Sequence, residues 1–105
     1  MQFLITAYDG KDNEVLARRM NVREQHLDGV KRLKAEGKHL YGAAILDDSG
    51  KMIGSIMIVE YPSIEMLKEE WLNFEPYVIG NVWQNIDIKP CRVPDVFYSN
   101  LAIIE

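Results

Sequence analysis

Apolar and polar residues alternate in four short stretches of the chain, and this alternation predicts four β-strands. The predicted strands cover about residues 2–8, 40–46, 52–61 and 82–89. Asp9-Gly10 follows the first strand as a turn signal, and the second and third strands are separated by Asp47-Asp48-Ser49-Gly50. Because this composition favours a tight reversal, we expect the second and third strands to form a hairpin.

A first helix is predicted over about residues 22–36, after a polar connection at residues 11–19. Asn21 is its expected N-cap, and Glu24 is placed to complete a capping box. Gly37 follows as the left-handed residue that commonly ends a helix. The sequence therefore predicts a helix that begins at Val22.

A second helix is predicted between the third and fourth strands. Ser63 is its expected N-cap, and apolar residues recur at helical spacing up to about residue 73. Pro76 disfavours helical geometry at Glu75, so we expect a break in the chain there. In the strand that follows, alternation places Trp83 on the face opposite Val82, Ile86 and Ile88.

The resulting order β-α-β-β-α-β is that of an α+β ferredoxin-like (split βαβ) fold, in which two helices cover one face of an antiparallel sheet. The other face stays bare, yet the hairpin strands carry apolar residues for both faces: Tyr41, Ala43, Ile45, Ile53, Ile56, Met57, Ile58 and Val59. We therefore expect a homodimer that packs sheet to sheet. The apolar tail at residues 96–98 and 101–104 could cover part of this face or cross to a second subunit.

Composition narrows the function classes. A chain of 105 residues with 48% hydrophobic and 27% charged residues suits one soluble domain. No apolar run approaches the roughly 20 residues of a membrane span, and the N-terminal segment lacks the features of a signal peptide, so we expect a cytoplasmic protein with no membrane partner. The net charge of −4 disfavours nucleic acid. With Cys91 alone and no Cys or His cluster, we expect neither a metal nor another cofactor.

Two polar residues interrupt the apolar side of the first predicted helix. Arg23 and His26 share that side with Leu27, Val30 and Leu33. A buried arginine needs a carboxylate or an anion opposite, and the first turns of a helix attract anions, so the pair could form a small anion pocket. In a second interpretation, Arg23 reaches solvent along its apolar stem and His26 makes one structural hydrogen bond.

A second candidate cluster, Glu75-Pro76-Tyr77 followed by Gly80, lies at the predicted break. A carboxylate at a break can be directed at a neighbouring element, and Tyr77 adds an aromatic wall and a hydroxyl group. If Glu75 faces His26, it fixes the imidazole tautomer and the two form a general acid/base pair. The alternative is an ordinary turn with Glu75 in water.

The remaining polar and aromatic candidates carry less information. His39 is predicted to be a surface residue at the start of a strand, and Ser55 has no nucleophile signature around it. Trp71 and Trp83 are interpreted as core or interface anchors.

Taken in order, these motifs resemble the YciI-like (YCII-related) family: Arg23-x-x-His26-Leu27, Gly42, Gly54-Ser55, Glu75-Pro76-Tyr77-x-x-Gly80 and Lys89-Pro90. The resemblance covers about residues 2–92. We therefore expect one domain at residues 1–92 and a C-terminal extension at 93–105 that packs on the domain or on a dimer partner. The resemblance implies a ferredoxin-like subunit of a dimeric α/β barrel, with an active-site cleft that contains a His-Asp dyad.

By position, the family's histidine is His26 and its dyad aspartate falls on Glu75, whose extra methylene moves the carboxylate by roughly 1.5 Å. Some members of that family resemble enzymes of aromatic degradation, so we expect a small-molecule lyase or isomerase in which His26 moves a proton, Glu75 orients it and Arg23 holds an acidic substrate. Tyr77 and Gly42 are the other expected substrate-binding residues. The alternative is a non-catalytic dimer that binds a small anion or serves as an accessory module.

Overall fold

The four predicted strands are present in the computed structural model, which describes residues 1–97. They are β1 (Gln2–Asp9), β2 (His39–Leu46), β3 (Met52–Glu60) and β4 (Trp83–Cys91). All pair antiparallel, in the order β2-β3-β1-β4. The predicted α+β fold with its four-stranded sheet is therefore confirmed.

The first helix, α1 (Val15–Ala35), begins earlier than predicted. Glu14 is its N-cap and makes no side-chain cap bond, while Asn21 lies exposed inside the helix. The residues between Val15 and Asn21 are mostly good helix formers, and an interior asparagine costs only about 0.7 kcal/mol, so burial of Val15 against the sheet outweighs the capping signal. The predicted end is confirmed, because Gly37 has a φ of +76°.

The early start of α1 corrects the proposed anion pocket. Arg23 and His26 lie more than two turns into the helix, where the backbone N–H groups are already bonded within it. The free N–H groups of a helix N-terminus therefore play no part at these two residues.

The second helical region is shorter than predicted and then changes form. Helix α2 (Ile64–Glu70) begins at the expected cap, where Ser63 Oγ accepts a hydrogen bond of 3.1 Å from Met66 N. A 3₁₀ turn (Leu72–Phe74) follows, and then a single-turn helix α3 (Pro76–Ile79) with Glu75 as its N-cap. The predicted break thus also starts a new helix.

The helices cover one face of the sheet and enclose the core. Every second residue of β1 points into it, and Met57 and Val59 extend the same face onto β3. The fully buried side chains include Ile5, Val59, Tyr61, Leu67, Tyr77 and Val82. Within the described residues, no helix is long and apolar enough to cross a membrane.

A bulge in β4 overturns the predicted orientation of Trp83. Pairing with β1 shifts between Tyr8 and Asp9, so that Tyr8 opposes Asn85 while Asp9 opposes Trp83. The extra residue, Gln84, restores Trp83 to the face that carries Ile86 and Ile88. Trp83 is consequently buried beneath the helices rather than on the open face.

The opposite, open face of the sheet is apolar on its β2–β3 half. Tyr41 and Ile56 are 45% and 37% exposed. Val93 is buried, and Phe97 lies edge-on to Tyr41 with ring centroids 6.5 Å apart. The extension therefore contacts the open face as far as it is described, while the predicted contacts of Tyr98 and residues 101–104 lie outside the described residues.

Candidate functional site

A buried histidine and a buried glutamate meet between α1 and α3. His26 Nδ1 lies 2.5 Å from Glu75 Oε1, and the two residues are 8% and 3% exposed. His26 occupies the sheet-facing side of α1, about two turns before the buried Leu33. Glu75 is held in an extended conformation at the break before Pro76, so its side chain turns back towards α1.

The Glu75 carboxylate is fixed by further hydrogen bonds. Oε1 also accepts from Tyr77 N at 3.2 Å, and Oε2 accepts from Trp71 Nε1 at 3.1 Å. A buried carboxylate needs such donors. When neutral, His26 can donate only its Nδ1–H to this carboxylate, which leaves Nε2 as the ring nitrogen that accepts a proton. This hydrogen bond selects one tautomer.

Aromatic rings hold the imidazole in place. The Tyr77 ring stacks on His26 with centroids 4.1 Å apart and planes 19° from parallel, and Trp83 contacts the imidazole edge-on at 5.9 Å. The guanidinium carbon of Arg19 lies 4.6 Å from the centre of the Tyr77 ring. Burial raises the pKa of the Tyr77 phenol, against the opposing influence of Arg19 and Arg23.

His26 lines a cavity of about 230 Å³ between α1 and strands β2 and β3. The cavity is also lined by the three predicted substrate-binding residues, Arg23, Gly42 and Tyr77. A methyl group added at Gly42 would stand 3.8 Å from Met57 Cγ, so this position leaves room for one. A larger cleft of about 780 Å³ near Gly10 and Lys51 contains none of the predicted site residues.

Arg23 fits parts of both interpretations of its helix. Arg23 is exposed, as expected for a side chain that reaches solvent. It also lines the cavity beside His26, as expected for an anion pocket. A cation at the mouth of a cavity attracts anions without the cost of a buried, unpaired charge. Among residues 1–97, no group of three or more His, Cys, Asp and Glu side chains could hold a metal ion.

A buried ion pair at the same site was not predicted from the sequence. Arg19 Nη1 donates to both carboxylate oxygens of Asp9, at 2.9 and 3.0 Å, and Arg19 Nη2 donates to Ser55 Oγ at 3.0 Å. Burial raises the pKa of Asp9, and the charge of Arg19 opposes this shift. Arg19 precedes His26 by about two helical turns, so a helix predicted from Val15 would have placed both on one side.

His39 is buried, which contradicts its predicted surface position. It is 3% exposed and opposes Val59 on the helix-covered face, with its ring edge-on to Trp71 at 4.8 Å. Burial lowers the pKa of His39 to about 4. Neither ring nitrogen has a hydrogen-bond partner within residues 1–97, and the same holds for the Tyr61 hydroxyl.

The sequence is similar to one known protein family and to a protein of that family. A family model described as the YCII-related domain matches residues 1–92. An uncharacterised protein of Haemophilus influenzae is 32% identical over 98 residues, which cover 88% of this chain and 97% of that protein.

One solved structure is similar over nearly the whole fold. It is a 5-chloro-2-hydroxyhydroquinone dehydrochlorinase (TftG) from Burkholderia phenoliruptrix AC1100, in complex with 2,5-dihydroxybenzoquinone. The TM-score is 0.75 at 23% sequence identity, over 91% of this chain and 98% of that one. At this identity the likeness is one of fold.

Proposed function

Because the chain belongs to the YCII-related domain family, we propose that it is a cofactor-independent small-molecule enzyme of the lyase or isomerase type. The observation that carries the proposal is the buried contact of Glu75 with His26, because His26 in turn lines a cavity that Arg23 also lines. In this proposal, His26 moves the proton, Glu75 orients it, and Arg23 attracts an acidic substrate.

The chemistry assigned to His26 follows from its hydrogen bonds. With Nδ1–H donated to Glu75, Nε2 carries the lone pair that removes a proton from the substrate. The carboxylate then stabilises the imidazolium that forms, and the proton can be returned to a different atom of the substrate. Return to another carbon completes an isomerisation, and loss of a leaving group completes an elimination.

The solved relative supports the reaction class. By its description TftG is a dehydrochlorinase, and loss of hydrogen chloride from an organic molecule is an elimination that uses a base. A His-carboxylate pair can supply such a base. The likeness is one of fold, and it is consistent with a lyase-type reaction at the His26–Glu75 pair.

The glutamate at position 75 is compatible with this role. The resemblance implies an aspartate at this position. The glutamate side chain is longer by one methylene, which could move its carboxylate away from His26. Glu75 starts from the N-cap of α3 and still brings Oε1 within 2.5 Å of His26 Nδ1. The longer side chain is therefore accommodated by its position at the break.

A second candidate function is a non-catalytic module that binds a small anion. It is favoured by the number of structural bonds that Glu75 makes, since its carboxylate also ties Trp71 and the backbone of Tyr77. In that case His26 and Arg23 hold a ligand that is released unchanged. The two candidates share a site and differ in whether His26 exchanges a proton with the ligand.

We also propose that a second copy of the chain covers the open face of the sheet, as in the dimeric barrel implied by the resemblance. Support comes from Tyr41 and Ile56, large apolar residues left exposed on that face.

An NMR titration with benzoate, a small single-ring carboxylate, tests the proposed site. We expect the His26 ring signals to move, and Arg23→Gln to weaken the apparent affinity about fivefold, as expected for loss of an exposed ion pair worth about 1 kcal/mol. Arg32→Gln is the matched control, because Arg32 lies exposed in the last turn of α1 and does not line the cavity. Unchanged His26 signals at saturating benzoate would contradict the assignment.

A further inference from the structure

The larger cleft, of about 780 Å³, lies where β1 ends and where β3 and β4 begin. Its volume falls within the roughly 300–1,000 Å³ of pockets that bind small molecules. Part of its lining is apolar: Tyr8, which is 46% exposed, and the half-buried Met52 and Ile53. The cleft can therefore hold the apolar body of an organic molecule.

The two carboxylates that line the cleft are already paired with arginines. Asp9 Oδ1 lies 2.9 Å from Arg19 Nη1, and Asp12 Oδ2 lies 2.7 Å from Arg18 Nη1. The hydrogen bonds from Arg18 lower the pKa of Asp12 to about 2. Because each negative charge is balanced by its own arginine, the carboxylates do little to repel an anion from the cleft.

Lys11 and Lys51 carry the unbalanced charge of the cleft. Both are exposed, and neither forms an ion pair within residues 1–97. The hydrogen bond from Ser49 is the main cause that lowers the pKa of Asp47, and the charge of Lys51 adds a smaller effect from a distance. Two ammonium groups without partners at one cleft favour an anion that carries two charges.

The bulge in β4 supplies amide groups to the same cleft. Asn85 opposes Tyr8 in the β1–β4 ladder, so its side chain and the Tyr8 ring lie on the same face of the sheet. Gln84 lies against the turn at Gly10, where an added Cβ would stand 2.7 Å from the amide carbon of Gln84. The glycine therefore lets this amide approach the turn, and both amides can donate hydrogen bonds to an anion.

The cleft adjoins the cavity of His26 and is distinct from it. Met52 lines both, and Asp9 of the cleft is bonded to Arg19 of the cavity. His26 and Arg23 line the smaller cavity alone. A ligand in the cleft therefore lies beside the proposed active site and occupies a place of its own.

We propose that this cleft is a second ligand site, which binds an aromatic phosphate monoester or an aromatic anion of the same charge and size. Lys11 and Lys51 attract the anionic group, and the amides of Gln84 and Asn85 donate hydrogen bonds to it. The ring of the ligand lies against Tyr8 and the apolar part of the lining. The site makes no use of the His26–Glu75 pair, so it goes beyond the proposed function.

An NMR titration with phenyl phosphate, followed at the backbone amide signal of Gly10, tests the second site. We expect phenyl phosphate to bind about tenfold more tightly than inorganic phosphate, the effect of burying roughly 50 Å² of the ring. Lys11→Gln and Lys51→Gln should each weaken phenyl phosphate about fivefold, the effect of one exposed ion pair. Lys68→Gln is the matched control, because Lys68 is exposed in the last turn of α2 and does not line the cleft.

The signals that move decide the outcome. Lys11 and Lys51 are exposed, so their variants should remain folded. Equal affinity of the wild type for phenyl phosphate and inorganic phosphate, or an unchanged affinity in both lysine variants, overturns the second site. Movement of the His26 ring signals without movement of the Gly10 signal places the ligand in the smaller cavity, which also overturns the second site and leaves the proposed function in place.

Discussion

The two histidines of this chain are both buried, and their surroundings give them different properties. His26 meets a carboxylate that is itself held by Trp71 and by the backbone of Tyr77. His39 lies on the same side of the sheet with its ring edge-on to Tyr61 and Trp71, and both of its nitrogens are unpaired within the described part of the chain. Burial disfavours the charged imidazolium where no acceptor is present.

His39 should make the protein sensitive to acid. Its pKa is about 4 in the folded protein, below the unperturbed value of 6.5, so the unfolded chain binds more protons between these pH values. The free energy of unfolding should therefore fall as the pH drops from 6.5 to 4, by up to about 3 kcal/mol. Urea unfolding measured across this range checks the slope.

His39→Phe provides the comparison for the acid measurement. The ring packs in the same aromatic surroundings and cannot be protonated, so the slope between pH 6.5 and 4 should be shallower than in the wild type. Identical slopes for the two proteins would show that His39 is not the group responsible.

Elements were predictable from the chain where the local pattern and the tertiary packing agree. The β2–β3 hairpin is an example, since Asp47 Oδ1 accepts from Ser49 N and Lys51 N, and Gly50 adopts a φ of +86°. The cap at Ser63 is another. Both depend on residues that are close in sequence, so neither needed knowledge of the rest of the fold.

Elements were mispredicted where distant residues decide the outcome. The start of α1 depends on burial of Val15 and on the pairing of Arg19 with Asp9 of β1. The orientation of Trp83 depends on a bulge opposite Tyr8 and Asp9. No periodicity within a single segment contains this information.

The candidate site illustrates both cases. His26 and Glu75 could be proposed as partners from their motifs and from the break at Pro76. Arg19 and Ser55 could not, because their contact joins α1 to β3 and becomes visible only when α1 is extended back to Val15. Arg19 and Ser55 were thus not predicted because their contact depends on packing between distant parts of the chain.

At the scale of the whole molecule, the sheet has one covered face and one that is covered only in part. The helices enclose the first, while residues 93–97 contact the second beside Tyr41 and leave Ile56 in the middle of β3 exposed. An apolar patch of this kind is stabilised by burial against a partner. This is the physical basis for the proposed homodimer.

Ile56→Lys tests the proposed dimer. Ile56 opposes Thr6 and Ala43 in the centre of the open face, and burying a lysine there costs several kcal/mol, so we expect the variant to be monomeric. Sedimentation equilibrium should show a dimer for the wild type and for the control Gln25→Lys, which adds the same charge on the exposed side of α1. A monomeric wild type, or a variant that sediments as a dimer, would contradict the proposed interface.

The proposed acid/base pair depends on the hydrogen bond between His26 and Glu75, and long-range ¹H–¹⁵N NMR of the His26 ring measures this bond most directly. In the neutral state we expect the proton on Nδ1 and a bare Nε2, and we expect the Nε2 signal to move when benzoate is added, because His26 lines the cavity and its Nδ1 is occupied by Glu75. A neutral ring with its proton on Nε2 and no response to benzoate would contradict the proposed acid/base pair.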